Sequence, residues 1–72
     1  MEILQKKTES GKVYRIYDNN PNFHIYEIER MHLYKFDNGE DFICWEPVVL
    51  PVKLYTDLNE VKAEFERLIL EN

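Results

Sequence analysis

The chain has few of the residues that build several common kinds of site. Its 72 residues include one cysteine, Cys44, so it cannot form the internal disulfides on which small secreted domains usually depend. It has only two glycines, too few for a glycine-rich phosphate-binding loop. No run approaches the roughly 18 apolar residues of a membrane-spanning helix, and no basic and apolar leader opens the chain. These absences predict a reduced, cytoplasmic protein outside the membrane.

Basic residues are also scarce. The chain has 9 Lys and Arg against 14 Asp and Glu, which gives a net charge of −5. Binding to nucleic acid or to an anionic membrane relies on positive side chains that neutralise phosphates, and the lysines here are scattered. The composition therefore disfavours nucleic acid and membrane as partners and permits a partner with a basic surface.

The chain offers little with which to build catalytic chemistry. Ser10 is the only serine and is predicted in a tight turn, where a serine triad is not expected. Cys44 and His32 are predicted on opposite faces of a sheet, where they cannot hydrogen-bond, and nothing places His24 near Cys44. One cysteine and two separated histidines do not match a zinc-ligand spacing. We expect no catalytic residue, no metal, no cofactor and no small-molecule ligand.

Two acidic patterns invite other interpretations. Asp18, Asn20 and Asn22, with Glu29 at the twelfth place, imitate a calcium loop, but Phe23 stands where that loop needs glycine for its sharp turn. We interpret this stretch as a polar turn that leads into a strand. Two pairs of carboxylates are expected to be solvated surface rather than an acid–base pair: Glu27 with Glu29, and Glu40 with Asp41.

Aromatic side chains, by contrast, are abundant. Five Tyr, four Phe and one Trp make up 14% of a chain whose length allows one domain, residues 1–72, with a modest core. The phenylalanines are the simplest core residues, whereas the tyrosines and the tryptophan also suit a contact surface. The expected core phenylalanines are Phe23, Phe36, Phe42 and Phe65.

Alternating apolar and polar residues predict a series of short strands. They are expected at 2–7, 12–17, 23–28, 31–36 and 42–46. A type I turn that ends on a left-handed Gly11 is predicted after the first strand, and a bulge or bend at Glu29–Arg30. Segment 47–55 contains two prolines, which place it at an edge of the sheet or across it.

The C-terminal residues predict a helix. Asp57 is a good N-cap, with Glu60 three residues on. An apolar stripe follows at helical spacing: Leu58, Val61, Phe65, Leu68 and Ile69. The sequence therefore predicts an α+β fold, an antiparallel sheet of four to five strands built from hairpins with one C-terminal amphipathic helix packed on one face.

The dipeptide Asn38-Gly39 predicts a two-residue hairpin turn, because both positions tolerate positive φ. In the resulting register Tyr34 opposes Ile43, and opposed residues share a face. One predicted face carries Tyr34, Phe36, Ile43 and Trp45, and the other carries Met31, Leu33, Phe42 and Cys44. Both faces are apolar, although one helix covers only one of them.

An apolar second face has two explanations: the sheet curls into a partial barrel, or the face contacts another chain. Tyr and Trp are favoured at interfaces, so we expect an acidic, non-enzymatic protein-interaction module that forms a homodimer or binds a different protein. The candidate interface residues are three aromatic anchors and an acidic rim: Tyr26, Tyr34, Trp45, Glu40 and Asp41.

Two other functions remain open from the sequence. A sheet that exposes tyrosines could stack single-stranded bases, although the acidic residues outweigh nearby Arg15, Arg30 and Lys35. An enzyme that uses Cys44 or the histidines would lose activity when the thiol is alkylated. We rank protein binding above both.

The stretch FDNGEDF and the C-terminal TDLNEVKAEFERLILEN, within a compact strand-rich chain, resemble small uncharacterised proteins of Bacillus-type phages and prophages. The resemblance covers the whole chain but carries no diagnostic motif, so no residue role follows from it. It implies a cytoplasmic, non-enzymatic accessory protein, of a kind that in some cases binds a host factor.

Overall fold

The computed structural model describes all 72 residues. It contains four strands and one helix: β1 (Glu2–Lys7), β2 (Val13–Asp18), β3 (Tyr26–Lys35), β4 (Asp41–Pro47) and α1 (Leu58–Glu71). The strands form one antiparallel sheet in the order β1-β2-β3-β4, so β1 and β4 are its two edges. The predicted α+β fold, an antiparallel sheet of hairpins with one C-terminal helix, is confirmed.

The turn between β1 and β2 ends on glycine, as predicted. The N–H of Gly11 donates to the carbonyl of Thr8 at 3.0 Å, and Gly11 has a φ of 90°, which glycine adopts without strain. The N–H of Thr8 donates to Lys12 at 2.8 Å and closes the hairpin. The pairing of β1 with β2 is irregular between Glu2 and Leu4, where the register shifts at a bulge.

β3 is one continuous strand, and the predicted bulge or bend at Glu29–Arg30 is wrong. Both residues pair in register with β2 on one side and β4 on the other. The strand also begins later than predicted, at Tyr26. The residues before it form a loop in which His24 has a left-handed φ of 55° and the N–H of Phe23 donates to the Asn20 side chain at 3.2 Å.

The hairpin between β3 and β4 has a three-residue loop, and the predicted register is wrong by one residue. The N–H of Phe36 donates to the carbonyl of Glu40 at 2.7 Å, and the N–H of Gly39 donates back to Phe36 at 2.9 Å. Gly39 has a φ of 88°. This is a type I turn followed by a left-handed glycine, a common three-residue hairpin loop, whereas we had expected only Asn38 and Gly39 between the strands.

The shift by one residue exchanges the faces on which the β4 side chains lie. Tyr34 opposes Phe42, and Met31 opposes Trp45. Tyr34 and Trp45, predicted to share a face, therefore lie on opposite faces. We call the face that α1 covers the helix face and the other the open face. Within the hairpin the helix face carries Tyr34, Phe36, Phe42 and Cys44, and the open face carries Met31, Leu33, Ile43 and Trp45.

α1 packs on the helix face against β2 and β3. Its N-cap is the predicted Asp57, whose carboxylate accepts the N–H groups of Asn59 at 2.8 Å and Glu60 at 3.3 Å. Val61 and Phe65 of the predicted stripe are completely buried. The rest of the stripe packs around this core: Leu58, Leu68 and Ile69.

The core contains three tyrosines and only one of the four phenylalanines that were predicted there. The buried apolar residues are Tyr14, Ile16, Tyr26, Tyr55, Val61 and Phe65. The other three phenylalanines are exposed, and Phe23 is 77% exposed. Phe23 lies in the loop before β3, and the hairpin places Phe36 and Phe42 away from α1, so only Phe65 fills the core as predicted.

Segment 48–56 connects β4 to α1 along the edge of the sheet, as the prolines at positions 47 and 51 predicted. The N–H of Val48 donates to Ile28 at 3.1 Å, and Tyr55 and Tyr26 exchange two backbone hydrogen bonds of 2.8 Å. Tyr55 thus continues the outer side of β3 beyond the end of β4. The single helix of the chain is neither long nor apolar enough to cross a membrane.

Candidate functional site

β3 and β4 extend as a hairpin past the part of the sheet that α1 covers. α1 contacts β2 and β3, and none of the buried core residues comes from β4. We call residues 33–43 the distal hairpin. It has five large apolar side chains that are between 38% and 61% exposed: Leu33, Tyr34, Phe36, Phe42 and Ile43. Some of these side chains lie on the helix face and the others on the open face. The distal hairpin therefore presents apolar surface on both faces.

The helix face of the distal hairpin is an aromatic cluster. The ring of Phe42 lies between Tyr34, at a centroid distance of 5.5 Å, and Phe36, at 4.5 Å. These distances are within the range in which aromatic pairs attract each other. The three rings support one another and form a contiguous surface without a covering element.

A polar group fixes one end of this cluster. The Tyr34 hydroxyl donates to the carboxylate of Glu46, and this hydrogen bond raises the pKa of Tyr34. The other carboxylate oxygen of Glu46 lies 3.4 Å from Nε2 of His32. Because Glu46 holds the hydroxyl end of the side chain, the Tyr34 ring has a defined position on the surface.

On the open face, Trp45 is part of a network around Arg15 of β2. The Arg15 guanidinium lies 4.1 Å from the centre of the Trp45 ring and 4.4 Å from that of Tyr17, both cation–π distances. Its Nε donates to Glu29 at 2.8 Å. Leu33 and Ile43 oppose each other on the same face, farther out toward the hairpin turn. The open face is therefore polar around Arg15 and becomes apolar on the distal hairpin.

The five candidate interface residues do not form one surface. Tyr26 is 7% exposed and belongs to the core, so it is not available as an anchor. Tyr34 and Trp45 lie on opposite faces of the hairpin. Glu40 and Asp41 are exposed beside the turn, and Asp41 lies 3.7 Å from the amino group of Lys35.

Sequence reasoning missed four exposed residues of the distal hairpin. Phe36 and Phe42 had been assigned to the core, and Leu33 and Ile43 had not been singled out. Asp37-Asn38-Gly39 is also a good three-residue turn, since glycine ends the preferred form of that loop in the left-handed conformation. Testing this second register would have grouped the phenylalanines with Tyr34 and Leu33 with Ile43.

The register also corrects the relation between Cys44 and His32. They are directly opposed and share the helix face, rather than lying one rung apart on opposite faces. No hydrogen bond joins their side chains, and the ionic partner of the His32 side chain is Glu46. No group of three or more His, Cys, Asp or Glu side chains is arranged to hold a metal ion.

Glu27 and Glu29 are buried, although both had been expected at the solvated surface. They are 9% and 8% exposed on the open face. Burial raises the pKa of Glu27, and the charge of Glu29 adds to the rise. Glu29 forms a salt bridge with Arg15, and the Arg15 guanidinium lies over the Trp45 ring. Glu29 therefore belongs to the polar network that helps to hold Trp45.

The stretch that imitates a calcium loop uses its oxygens internally. Asp18 is buried; one carboxylate oxygen accepts the N–H of Asn20 at 3.0 Å and the other accepts Nδ1–H of His24 at 2.9 Å. The hydrogen bond from His24 lowers the pKa of Asp18. The Asn20 side chain accepts from Asn22, and Glu29 lies on the other face of the sheet. These residues shape the loop and do not converge on one point.

A small cleft lies between α1 and segment 48–56. Its volume is about 130 Å³, and it is lined by Val48, Val52, Tyr55 and Leu68, with Lys53 and Arg67 among its charged residues. Ligand pockets for drug-sized molecules have volumes of roughly 300 to 1,000 Å³. The cleft is therefore a less suitable binding site than the distal hairpin.

The chain was compared with protein-family models, with curated proteins and with solved structures, and none of the three comparisons gave a match.

Proposed function

We propose that this chain is a non-enzymatic, acidic protein-interaction module whose contact surface is the distal hairpin. The observation that carries the proposal is the exposure of large apolar side chains on both faces of residues 33–43. Contiguous apolar surface of this kind is uncommon on monomeric proteins unless it serves in recognition. Leu33 is 61% exposed and Phe36 is 54% exposed, although neither is needed by the core.

The aromatic cluster has the properties of a binding anchor. Tyr34, Phe36 and Phe42 are rigid side chains that lose little conformational entropy on binding, and aromatic residues are enriched among interface hot spots. The bond from Tyr34 to Glu46 supports this pre-organised arrangement. Tyr34 and Phe42 on one side, with Leu33 and Ile43 on the other, suit a groove that encloses the hairpin.

The charge of the chain favours a partner with a basic surface. The net charge is −5, and the turn of the distal hairpin carries Asp37, Glu40 and Asp41 within five residues. Lys35 is the only basic residue of the distal hairpin, and Asp41 lies 3.7 Å away. An acidic rim around an apolar centre fits a complementary rim of Lys and Arg on the partner.

Binding to single-stranded nucleic acid is the weaker candidate. The rings of Tyr34 and Phe36 could stack with bases, but such sites combine stacking with a basic groove. Here the nearest cation, Lys35, is accompanied by an acid, and Arg15 is bound to Glu29 on the open face. Titration with labelled oligonucleotides at low salt separates the two functions, since electrostatic binding is strongest there.

The biological role that we propose follows from the sequence resemblance to phage and prophage proteins. It is a cytoplasmic accessory protein that covers a surface of a host protein, with a second copy of the chain as another partner. The acidic rim suits a host protein with a basic surface, including one that handles nucleic acid.

The proposed function is tested by capture of proteins from a lysate of the organism that carries the gene. The tagged chain, a Leu33→Ser/Phe36→Ser variant and a Leu70→Ser control are compared by quantitative mass spectrometry. Leu70 is 86% exposed on α1, so its replacement removes a similar apolar side chain outside the distal hairpin. We expect retention of the specific partner to fall at least about tenfold in the double variant only, as for hot-spot truncation. Equal retention by the three proteins would contradict the proposal.

A further inference from the structure

The outer side of β4 has free backbone hydrogen-bonding groups. Two bonds show which residues turn inward: Val48 donates its N–H to Ile28 of β3, and Glu40 accepts the N–H of Phe36. The register between these two pairs is continuous, and inward and outward residues alternate along an antiparallel strand. Even-numbered residues of β4 therefore bond to β3, and the odd-numbered ones point their N–H and C=O groups away from the sheet: Asp41, Ile43 and Trp45.

No other part of the chain satisfies these groups. β4 is the last strand of the sheet order, and no side chain or loop donates to or accepts from the backbone of its odd-numbered residues. After Pro47 the chain turns toward α1, with which it lines the small cleft, and returns to β3 at Tyr55. An edge strand without a bulge, cover or internal proline is a template on which another strand can pair.

We propose that β4 pairs antiparallel with β4 of a second copy of the chain, across a two-fold axis at Cys44, to form a continuous eight-stranded sheet from two four-stranded sheets. The inference goes beyond the proposed function, because the contact is the outer edge of β4 rather than the apolar faces of the distal hairpin, and it commits to a second copy as the partner. The N–H and C=O groups of Ile43 bond to those of the partner's Trp45, and the N–H of Asp41 donates to the carbonyl of the partner's Pro47. Such an interface is isologous, because the same strand serves both copies.

The side chains favour this register over its neighbour. With the axis at Cys44, Ile43 lies opposite the partner's Trp45 on the open face, a β-branched and aromatic pair of the kind that stabilises sheets. An axis at Ile43 would instead place Glu40 opposite the partner's Glu46. Like charges directly opposite each other are destabilising, so the axis at Cys44 is preferred.

The acids of β4 are each accompanied by a group of their own chain. Lys35 lies 3.7 Å from Asp41, and His32 lies 3.4 Å from Glu46, which also accepts from Tyr34. These contacts reduce the local repulsion between two acidic strands. A neutral or basic extended peptide could use the same edge, but the self-complementary order of side chains about Cys44 favours a second copy.

The two-fold axis places the two Cys44 residues directly opposite each other, which can be tested. Each turns its backbone groups toward its own β3, so the two residues form a non-hydrogen-bonded pair with Cα atoms about 4.5 Å apart. A disulfide requires a Cα separation of about 4.4 to 6.8 Å, and both sulfurs lie on the helix face. Added diamide would take two hydrogens from the two thiols as the S–S bond forms, and becomes the corresponding hydrazine.

The first experiment is diamide cross-linking of the chain, compared with a Cys44→Ser/Phe42→Cys control. In the control, the two thiols are offset along the paired strands by four residues, or about 13 Å. We expect the chain with Cys44 to give a cross-linked species of twice 8.8 kDa, at least about tenfold faster than the control. Equal rates would overturn the register, and with it the proposed geometry.

The second experiment measures association by sedimentation, without oxidant, for the chain and for Ile43→Pro and Ile43→Ala. Both variants remove the isoleucine side chain, but only proline also removes the outward N–H of residue 43, which β3 does not use. We expect Ile43→Pro to weaken the dimer at least about tenfold more than Ile43→Ala does. Circular dichroism of both variants verifies the fold, and the cross-linking result does not depend on either variant.

A chain that stays monomeric at roughly 500 µM would overturn this inference. That outcome leaves the proposed function standing if the Leu33→Ser/Phe36→Ser variant still loses its captured partner. If capture is unchanged and the Cys44 cross-link nevertheless forms, the distal hairpin is wrong as the contact surface and the edge pairing is right.

Discussion

Asp18 is buried at the end of β2, with its carboxylate oxygens bound to Asn20 and His24. The sequence showed a polar loop here, but an unsatisfied buried carboxylate would be very unfavourable, so the placement of His24 is what permits the burial. His24 adopts a left-handed φ of 55° in this loop. Such a contact depends on the loop's conformation and could not be predicted from residue spacing.

The first prediction concerns the pH dependence of stability at Asp18. Its pKa is lowered in the folded protein, so its contribution is present above the unfolded carboxyl pKa of about 3.9 and is lost as the pH falls through the lower folded pKa. We expect Asp18→Asn to lower the urea midpoint at neutral pH, and this difference to shrink in acid below that window. Asp37→Asn in the exposed turn is the control. A difference that does not change with pH would contradict the assignment.

At the scale of elements, the φ angle of Gly39 decides which side chains the hairpin of β3 and β4 presents on each face. Gly39 has a φ of 88°, and the three-residue loop that it ends determines which β4 side chains face α1. Asn38-Gly39 suits a two-residue loop equally well by local rules, so the sequence left the register ambiguous. The existence of both strands was predictable; the faces of Phe42 and Trp45 were not.

The second prediction is that Gly39→Ala destabilises the hairpin. Alanine in the left-handed region costs roughly 1 to 2 kcal/mol, whereas the space around the added Cβ is open. Gly39→Asn should cost less, because asparagine tolerates this conformation. Urea denaturation of both variants measures the free energies of unfolding. Equal stability of the wild type and Gly39→Ala would show that the loop has another conformation in solution.

α1 was the most predictable element, because the residues that define it lie close together in the sequence. Asp57 caps it, and the residues that it buries recur at helical spacing from Val61 to Phe65. The phenylalanines of the strands had no such local marker. Their burial depended on the register and on which part of the sheet the helix reaches.

The third prediction separates the two kinds of phenylalanine. Phe65→Ala removes a completely buried side chain and should cost about 3 to 5 kcal/mol, enough to unfold much of a domain this small. Phe36→Ala changes a side chain that is 54% exposed, and we expect a loss below about 1 kcal/mol. Thermal unfolding followed by circular dichroism compares them. Similar losses for the two variants would place Phe36 in a core.

At the scale of the whole molecule, the part of the sheet that α1 covers has a buried core, whereas the distal hairpin has none. The chain is elongated, 42 × 29 × 21 Å, and the buried residues gather where α1 lies on β2 and β3. Composition correctly indicated more aromatic surface than one small core requires. It could not show that the excess lies on a projecting hairpin, because that follows from the length of β3 and β4 relative to the part covered by α1.

The fourth prediction uses the net charge of −5 to distinguish partners. Two copies repel each other, so salt should strengthen self-association, by several-fold between about 20 and 300 mM NaCl. A basic partner is attracted, and salt should weaken its binding. Sedimentation at both concentrations tests the first expectation, and titration with the captured partner tests the second. Self-association that weakens with salt would indicate that another contact dominates.

The bulge between Glu2 and Leu4 in β1 has a consequence for how large an assembly can become. In the proposed dimer, each copy leaves its β1 strand at the outer margin. There the broken ladder and the side chains of Lys6 and Lys7 discourage the addition of a third chain. Growth of a fibril would require two edge strands that can each pair with another chain, and here only β4 is suited to pairing. We therefore expect the proposed pairing to stop at the dimer, so that rising concentration fills dimers rather than extending filaments.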